Sequence, residues 1–361
     1  MTCESSRSPV LSTHAHGSDS PGATPLPALS ASRGTSRAPV VLLPARIGVD
    51  WDADERCPAS WPDKPDGDGG AGGGGARRGI EAANVIGARA ARVAGAFVEA
   101  GWDVGFYGTP LASAVPAVAL ADSPRGAALL ALAERTGHPC QLRYFGLDSG
   151  GASANAAAAG TIGACTAVTG FGAPARCLIV APSAFVDPRH AVEQGGRPAS
   201  AGPRSDTAHG TDGEEVSRFQ KANLTIPLCL MSAQHAAWQA WRGQRSPPVD
   251  ADAERFAVED ASILVLLDTA GLQRLVGIET VPYAASQAGL HATVPSLARA
   301  YAPGMRVSAV SAPLHDGGDR DKRAGADAAL AQALYYGAQA STITGATLRV
   351  GGVPTQVARS E

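Results

Sequence analysis

Tyr283-Ala-Ala-Ser-Gln287 opens an apolar, helix-forming stretch, and Ala302-Pro-Gly-Met-Arg-Val307 follows it with a turn leading into a β-type run. Residues i and i+4 lie one above the other on a helix face, so the side chain at 287 sits beside the phenol at 283. A free tyrosine has a pKa near 10, and only about one in a thousand is phenolate at neutral pH unless a nearby cation favours the anion. Gln287 carries no charge; it can hydrogen-bond a hydroxyl but cannot draw the phenol's pKa down. Taken by itself the stretch also reads as a plain amphipathic helix.

The same alternation of helix and strand runs through most of the chain. Short β-type runs occur at Pro39–Leu43, Asp103–Tyr107, Gln141–Phe145, Cys177–Ala181, Ser262–Leu267, Met305–Val310 and Thr347–Val350. Helical patterns occupy about 86–100, 123–137, 152–170, 214–243, 283–302 and 325–339. Each crossover is long enough for a βαβ unit, which predicts an α/β, Rossmann-type, doubly wound seven-stranded parallel sheet with helices on both faces. Two polar, Gly- and Pro-bearing segments, 49–80 (with Gly72-Gly-Gly-Gly75) and 186–213, read as insertions or loops. The alternation continues through both, so a single domain over 38–353 is expected, with a disordered tail or transit peptide at 1–37 and a short tail at 354–361.

With 361 residues and 45% apolar content, the chain has ample material for a buried core. Its 30 basic and 33 acidic residues give no sign of a nucleic-acid partner. No apolar run reaches the roughly 18 residues of a membrane span. The six cysteines form no C-x-x-C or Cys/His cluster, and reduced thiols in a cytoplasmic protein are the simplest expectation. His190, His209, His235, His291 and His315 show no ligand spacing, so no metal site is expected. No Gly-x-Ser-x-Gly elbow or P-loop is present.

Several separated stretches resemble, in the right order, the short-chain dehydrogenase/reductase superfamily. Ala96-Phe-Val-Glu-Ala-Gly-Trp-Asp-Val104 is similar to its first helix entering its second strand, and Thr166 to Val180 to the approach to its fourth strand. Asn223, within Phe219-Gln-Lys-Ala-Asn-Leu-Thr-Ile-Pro-Leu228, resembles the family's mid-helix asparagine. Tyr283, Arg306-Val-Ser-Ala-Val-Ser-Ala-Pro313, Ile343-Thr-Gly345 and Val350-Gly-Gly352 complete the series, with Gln287 in place of the family's lysine. Within the superfamily, Ala181-Pro-Ser-Ala-Phe185 and Asp268 look most like pteridine and dihydromonapterin reductases. The spacing from Asp268 to Tyr283 is two residues longer than in that pattern.

The resemblance implies NAD(P)H-dependent reduction of a pterin or other small carbonyl or imine compound. Tyr283 would donate a proton, Asn223 would hold a water in a proton relay, and Gln287 would replace the lysine. Asp268 would orient substrate or donate a proton, or else is a strand-end turn residue. Phe185 would stack on the ring, or else is core. Arg46, Gly48, Ser183 and Pro313 would contact NADPH or NADH. The glycine-rich phosphate turn is reduced to Pro44-Ala-Arg-Ile-Gly48, and Gly72–Gly75 or Ala76-Arg-Arg-Gly79 would return as a substitute, or else is a linker. Tyr107-Gly-Thr-Pro110 lacks a base for a 2′-phosphate, so both dinucleotides stay open. An arginine such as Arg306 could replace the missing lysine charge. Impaired activity is one expectation; a silent relative serving as a binding module or the partner of an active paralogue is the other. Homo- or hetero-oligomers would form through 214–243 and 283–302, with Trp238, Trp241, Leu228 and Met231 as an apolar face, or else the tryptophans are simple core packing.

Overall fold

The computed structural model describes residues 38–47, 85–108, 120–121, 123–148, 153–183, 213–244, 261–268, 281–314 and 320–351. The expected tails at 1–37 and 354–361, the insertion at 49–80, residues 186–212 of the second insertion, Gly48 and Phe185 lie outside the described residues.

Among the described residues, seven parallel strands form one sheet: β1 (Val40–Pro44), β2 (Asp103–Gly108), β3 (Leu142–Gly146), β4 (Cys177–Val180), β5 (Ala261–Asp268), β6 (Met305–Ala312) and β7 (Thr347–Arg349). Their order is β3-β2-β1-β4-β5-β6-β7, and each lies within two residues of its expected position. The agreement has a physical cause. Strands covered on both faces must be apolar throughout, as Val40-Val-Leu-Leu43 and Cys177-Leu-Ile-Val180 are, and such runs stand out in a sequence. Alternate residues of β1 feed opposite faces: Val41 and Leu43 join one core cluster, Val40 and Leu42 the other.

The helices divide between those faces. α1 (Ala88–Glu99), α2 (Pro124–Thr136) and α7 (Arg320–Gln339) cover the first, through Val93, Phe97, Leu129, Leu330 and Leu334. α3 (Ala154–Thr166), α5 (Ile226–Gly243) and α6 (Val281–Tyr301) cover the second, through Ile162, Leu230, Trp238, Leu290 and Val294. Local signals fix the helix ends. Ser123 Oγ accepts the Gly126 N–H at 3.0 Å, Pro124 follows the cap, and Gly137 closes α2 at φ 72°.

α4 (Gly213–Gln220) runs into α5 through a π-helical turn, Lys221–Thr225, where an unbroken helix was expected. Pro227 has no N–H to offer the Asn223 carbonyl four residues back, so the α-type ladder cannot close there. In α5, Trp238 and Met231 are core residues at 2% and 0% exposure, whereas Leu228 and Trp241 pack half-buried against the same cluster. Two of the four residues expected on an oligomer face are therefore committed to the protomer's own interior. Among the described residues, no helix is long and apolar enough to cross a membrane.

Arg306 does not stand in for the missing lysine. Its guanidinium donates to the carbonyls of Gly337, Ala338 and Ala340 at 3.1, 2.9 and 2.5 Å, capping the carboxyl end of α7. It pairs in register with Ser262, while Asp268 pairs with Ala312 six residues on, roughly 20 Å along the sheet. Arg306→Met should leave these carbonyls without their charged donor and cost about 2–4 kcal/mol, to be read from the urea midpoint at unchanged m-value.

Candidate functional site

The strand order reverses between β1 and β4, and in such sheets the crevice outside the carboxyl ends of the strands is the place for a ligand. Asp268 is the last residue of β5, at that end, and is fully buried. Tyr283 lies in the first turn of α6 and is 1% exposed. Its hydroxyl donates to Asp268 Oδ2 at 2.9 Å, while the Leu314 N–H, just past β6, donates to Asp268 Oδ1 at 2.9 Å. The i+4 geometry expected of α6 holds: Gln287 reaches the same place, and its Oε1 accepts the Asp268 N–H at 3.2 Å. Among the described residues its buried Nε2 has no hydrogen-bond partner.

Burial, and then the adjacent Asp268 carboxylate, drive the Tyr283 phenol far above its ordinary pKa. A lysine at 287 would oppose that shift, whereas an amide does not. Phe219 packs edge-on against the ring with centroids 5.7 Å apart.

Asn223 sits in the π turn and is fully buried. Its Oδ1 accepts the Ser183 N–H at 3.0 Å, and its Nδ2 donates to Ser286 Oγ at 3.4 Å. Ser286 Oγ in turn donates to the Tyr283 carbonyl at 2.6 Å. Asn223 thus joins the exit of β4 to the turn of α6 that carries Tyr283. Ser183 Oγ donates to the Ala222 carbonyl at 3.2 Å, so this residue is also anchored to the π-turn segment.

Of the expected site residues, the fold brings Asn223, Asp268, Tyr283 and Gln287 into one connected cluster. Ser183 and Pro313 flank it on the exits of β4 and β6. Arg46 is exposed beyond β1, where its charge partly offsets the burial that pushes the Tyr144 phenol up to about 12. Three participants were missed. Gly87 caps α1 beside the end of β1, its N–H donating to the Ala45 carbonyl at 2.8 Å. It therefore stands at the helix start where a phosphate-binding turn ends. The signal was legible as Ile86-Gly87 ahead of an Ala-rich helix. Ser286 and Leu314 gave no such signal, because each acts through a contact made in the folded state.

Asp268→Leu would strip the acceptor from two buried donors, the Tyr283 hydroxyl and the Leu314 N–H. A loss of about 3–5 kcal/mol is expected, with a smaller loss for Asp268→Asn, measured by equilibrium unfolding.

No family model matches this sequence, and no curated protein matches it significantly. Solved structures match in fold. One, described as a short-chain dehydrogenase/reductase from Burkholderia xenovorans, is 19% identical with a TM-score of 0.50, over 87% of this chain and 97% of that one. A mutant of the DEH reductase A1-R′ is 15% identical with a TM-score of 0.50, over 87% of this chain and 94% of that one. At such identity the likeness is one of fold: the chain has the seven-stranded Rossmann-type architecture of these proteins.

Proposed function

We propose that this chain is an NAD(P)H-dependent reductase of the short-chain type, acting on a pterin-like or other small carbonyl or imine compound with weakened proton delivery. What supports the reading is the 2.9 Å hydrogen bond from Tyr283 to Asp268 at the carboxyl ends of the strands, one strand away from the reversal of strand order. A nicotinamide would supply the hydride. The residues at hand fit such a group: Gly87 opens α1 beside β1, and the unpartnered Gln287 Nε2 is a buried donor of the kind a ribose hydroxyl would satisfy. Arg46, Ser183 and Pro313 are the other cofactor candidates.

In this reading Tyr283 delivers the proton and Asp268 orients it. The Asn223–Ser286 bond holds the turn of α6 on which Tyr283 sits. Release of the Tyr283 proton would leave two anions 2.9 Å apart, and Gln287 supplies no charge to offset them. Slow turnover follows from that geometry. The near-complete burial of the Tyr283 hydroxyl favours a second reading, a silent relative kept as a binding module or as the partner subunit of an active reductase.

Titration with both reduced dinucleotides, followed by nicotinamide fluorescence and thermal shift, separates the two. Binding below millimolar concentration is expected of the reductase; no binding of either at millimolar levels would leave the silent relative, and co-purification with an active paralogue would support it.

A further inference from the structure

Arg89 lies in the first turn of α1 and is 6% exposed, an unusual setting for a guanidinium. Its Nε meets Asp327 Oδ1 of α7 at 2.6 Å. One of its terminal nitrogens donates to the Leu314 carbonyl at 3.0 Å. Leu314 is fully buried, and its own N–H donates to Asp268 Oδ1. The two polar groups of a single residue are therefore held between a cation and an anion, the carbonyl towards Arg89 and the N–H towards Asp268. Arg92 reaches Asp327 Oδ2 at 3.3 Å, but from an exposed position where such a pair contributes little.

We infer that Arg89 is a positioning residue of the Asp268–Tyr283 pair, acting through the main chain of Leu314. The inference rests on the reading of that pair as the proton-delivering group. Among the described residues, the titratable and charged groups that bear on Asp268 by these bonds are Tyr283 from α6, Arg89 from α1 and, through Arg89, Asp327 from α7; Gln287 of α6 is neutral. Arg89 is the cation nearest Asp268 along this chain of bonds. The Leu314 carbonyl and N–H belong to successive peptide groups joined through its Cα, so Arg89 supports the carboxylate by holding the Leu314 backbone in place and by its own charge. The same bonds pin the exit of β6 to the first turn of α1 and, through Asp327, to the body of α7, which fixes where that N–H points.

The test compares Arg89→Met and Arg89→Lys in the full chain, with and without Asp268→Asn. Without the cation, the carboxylate loses support, so the pH–rate profile of Arg89→Met should move up by about half a unit or more. Its kcat should fall about tenfold, with the KM for the dinucleotide within about twofold. Arg89→Lys, which keeps the charge, should bring the profile back towards that of the unaltered protein. In thermal melts, Arg89→Met should lower Tm less than half as much in the Asp268→Asn background as on its own. Superimposable pH profiles, or additive Tm losses, would overturn the assignment. If the unaltered protein turns over no substrate, the reductase reading fails, yet the four melts still decide whether Arg89 is coupled to Asp268. Should Arg89→Met not fold, Arg89→Lys and Arg89→Gln carry the same comparison.

Discussion

Gln287→Lys is expected to raise turnover by a factor on the order of 10²–10⁴, the range associated with one acid–base contribution. The side chain at 287 already sits one helical turn from Tyr283 and within reach of Asp268, as its contact with the Asp268 N–H shows. An ammonium placed there would face both the phenol and the carboxylate. It would offset the charge of Asp268, which together with burial holds the Tyr283 proton on, and it would stabilise the phenolate left after transfer. The gain has a structural cost: the Asp268 N–H loses its acceptor, worth about 1–3 kcal/mol for a buried donor. Steady-state kinetics with a dihydropterin panel and both dinucleotides, alongside a denaturant titration, would register both effects. A variant that binds dinucleotide, stays folded and turns over no faster would rule out Tyr283 as the proton donor.

The second large effect concerns stability at alkaline pH. Cys165 and Cys177 are buried thiols whose ionisation is pushed up to about 12, chiefly by burial; in Cys177 this outweighs the opposing influence of the nearby Ser262 hydroxyl and the charges of Arg306 and Arg176. An unfolded thiol ionises near 8.5. Below that pH both states hold the proton and the contribution is fully present. Above it the unfolded chain sheds protons the native state keeps, so stability falls as pH rises towards about 12. At about pH 10.5 each thiol should have lost about 2–3 kcal/mol, and the two together a large part of an ordinary domain's stability. Tyr107 and Tyr283, both raised by burial, add to the slope once the pH passes about 10. Cys140 contributes less, being half-buried and open to solvent screening. Urea midpoints between pH 7 and 11 should trace this decline, and Cys165→Ala with Cys177→Ala should flatten it. An unchanged slope in the double variant would assign the alkaline loss to other groups.

The strands and helices were legible in the sequence because burial on both faces forces unbroken apolar runs, and helix ends carry caps such as Ser123 and Gly137. The π turn was half legible. Pro227 marks where the α-helical ladder must fail, but which side chain the turn would present depends on Asn223 finding Ser183 and Ser286, residues 40 and 63 positions away. Tyr283 and Gln287 share a face by helix geometry, a local property.

The neighbour that sets their chemistry is not local. Asp268 meets Tyr283 across 15 residues because β5 ends where α6 begins, and Arg89 reaches the same carboxylate through Leu314, 225 residues later. Arg306 shows the converse: it was a candidate for the missing charge that nothing in the sequence placed, and the register of β5 with β6 sets it at the opposite end of the strands from Asp268. By itself, then, the sequence determined the architecture, because apolar periodicity and turn chemistry act over a few residues. Only the tertiary structure decided the electrostatics of the candidate site, because a pKa depends on burial and on charges that chain folding alone brings within bonding distance.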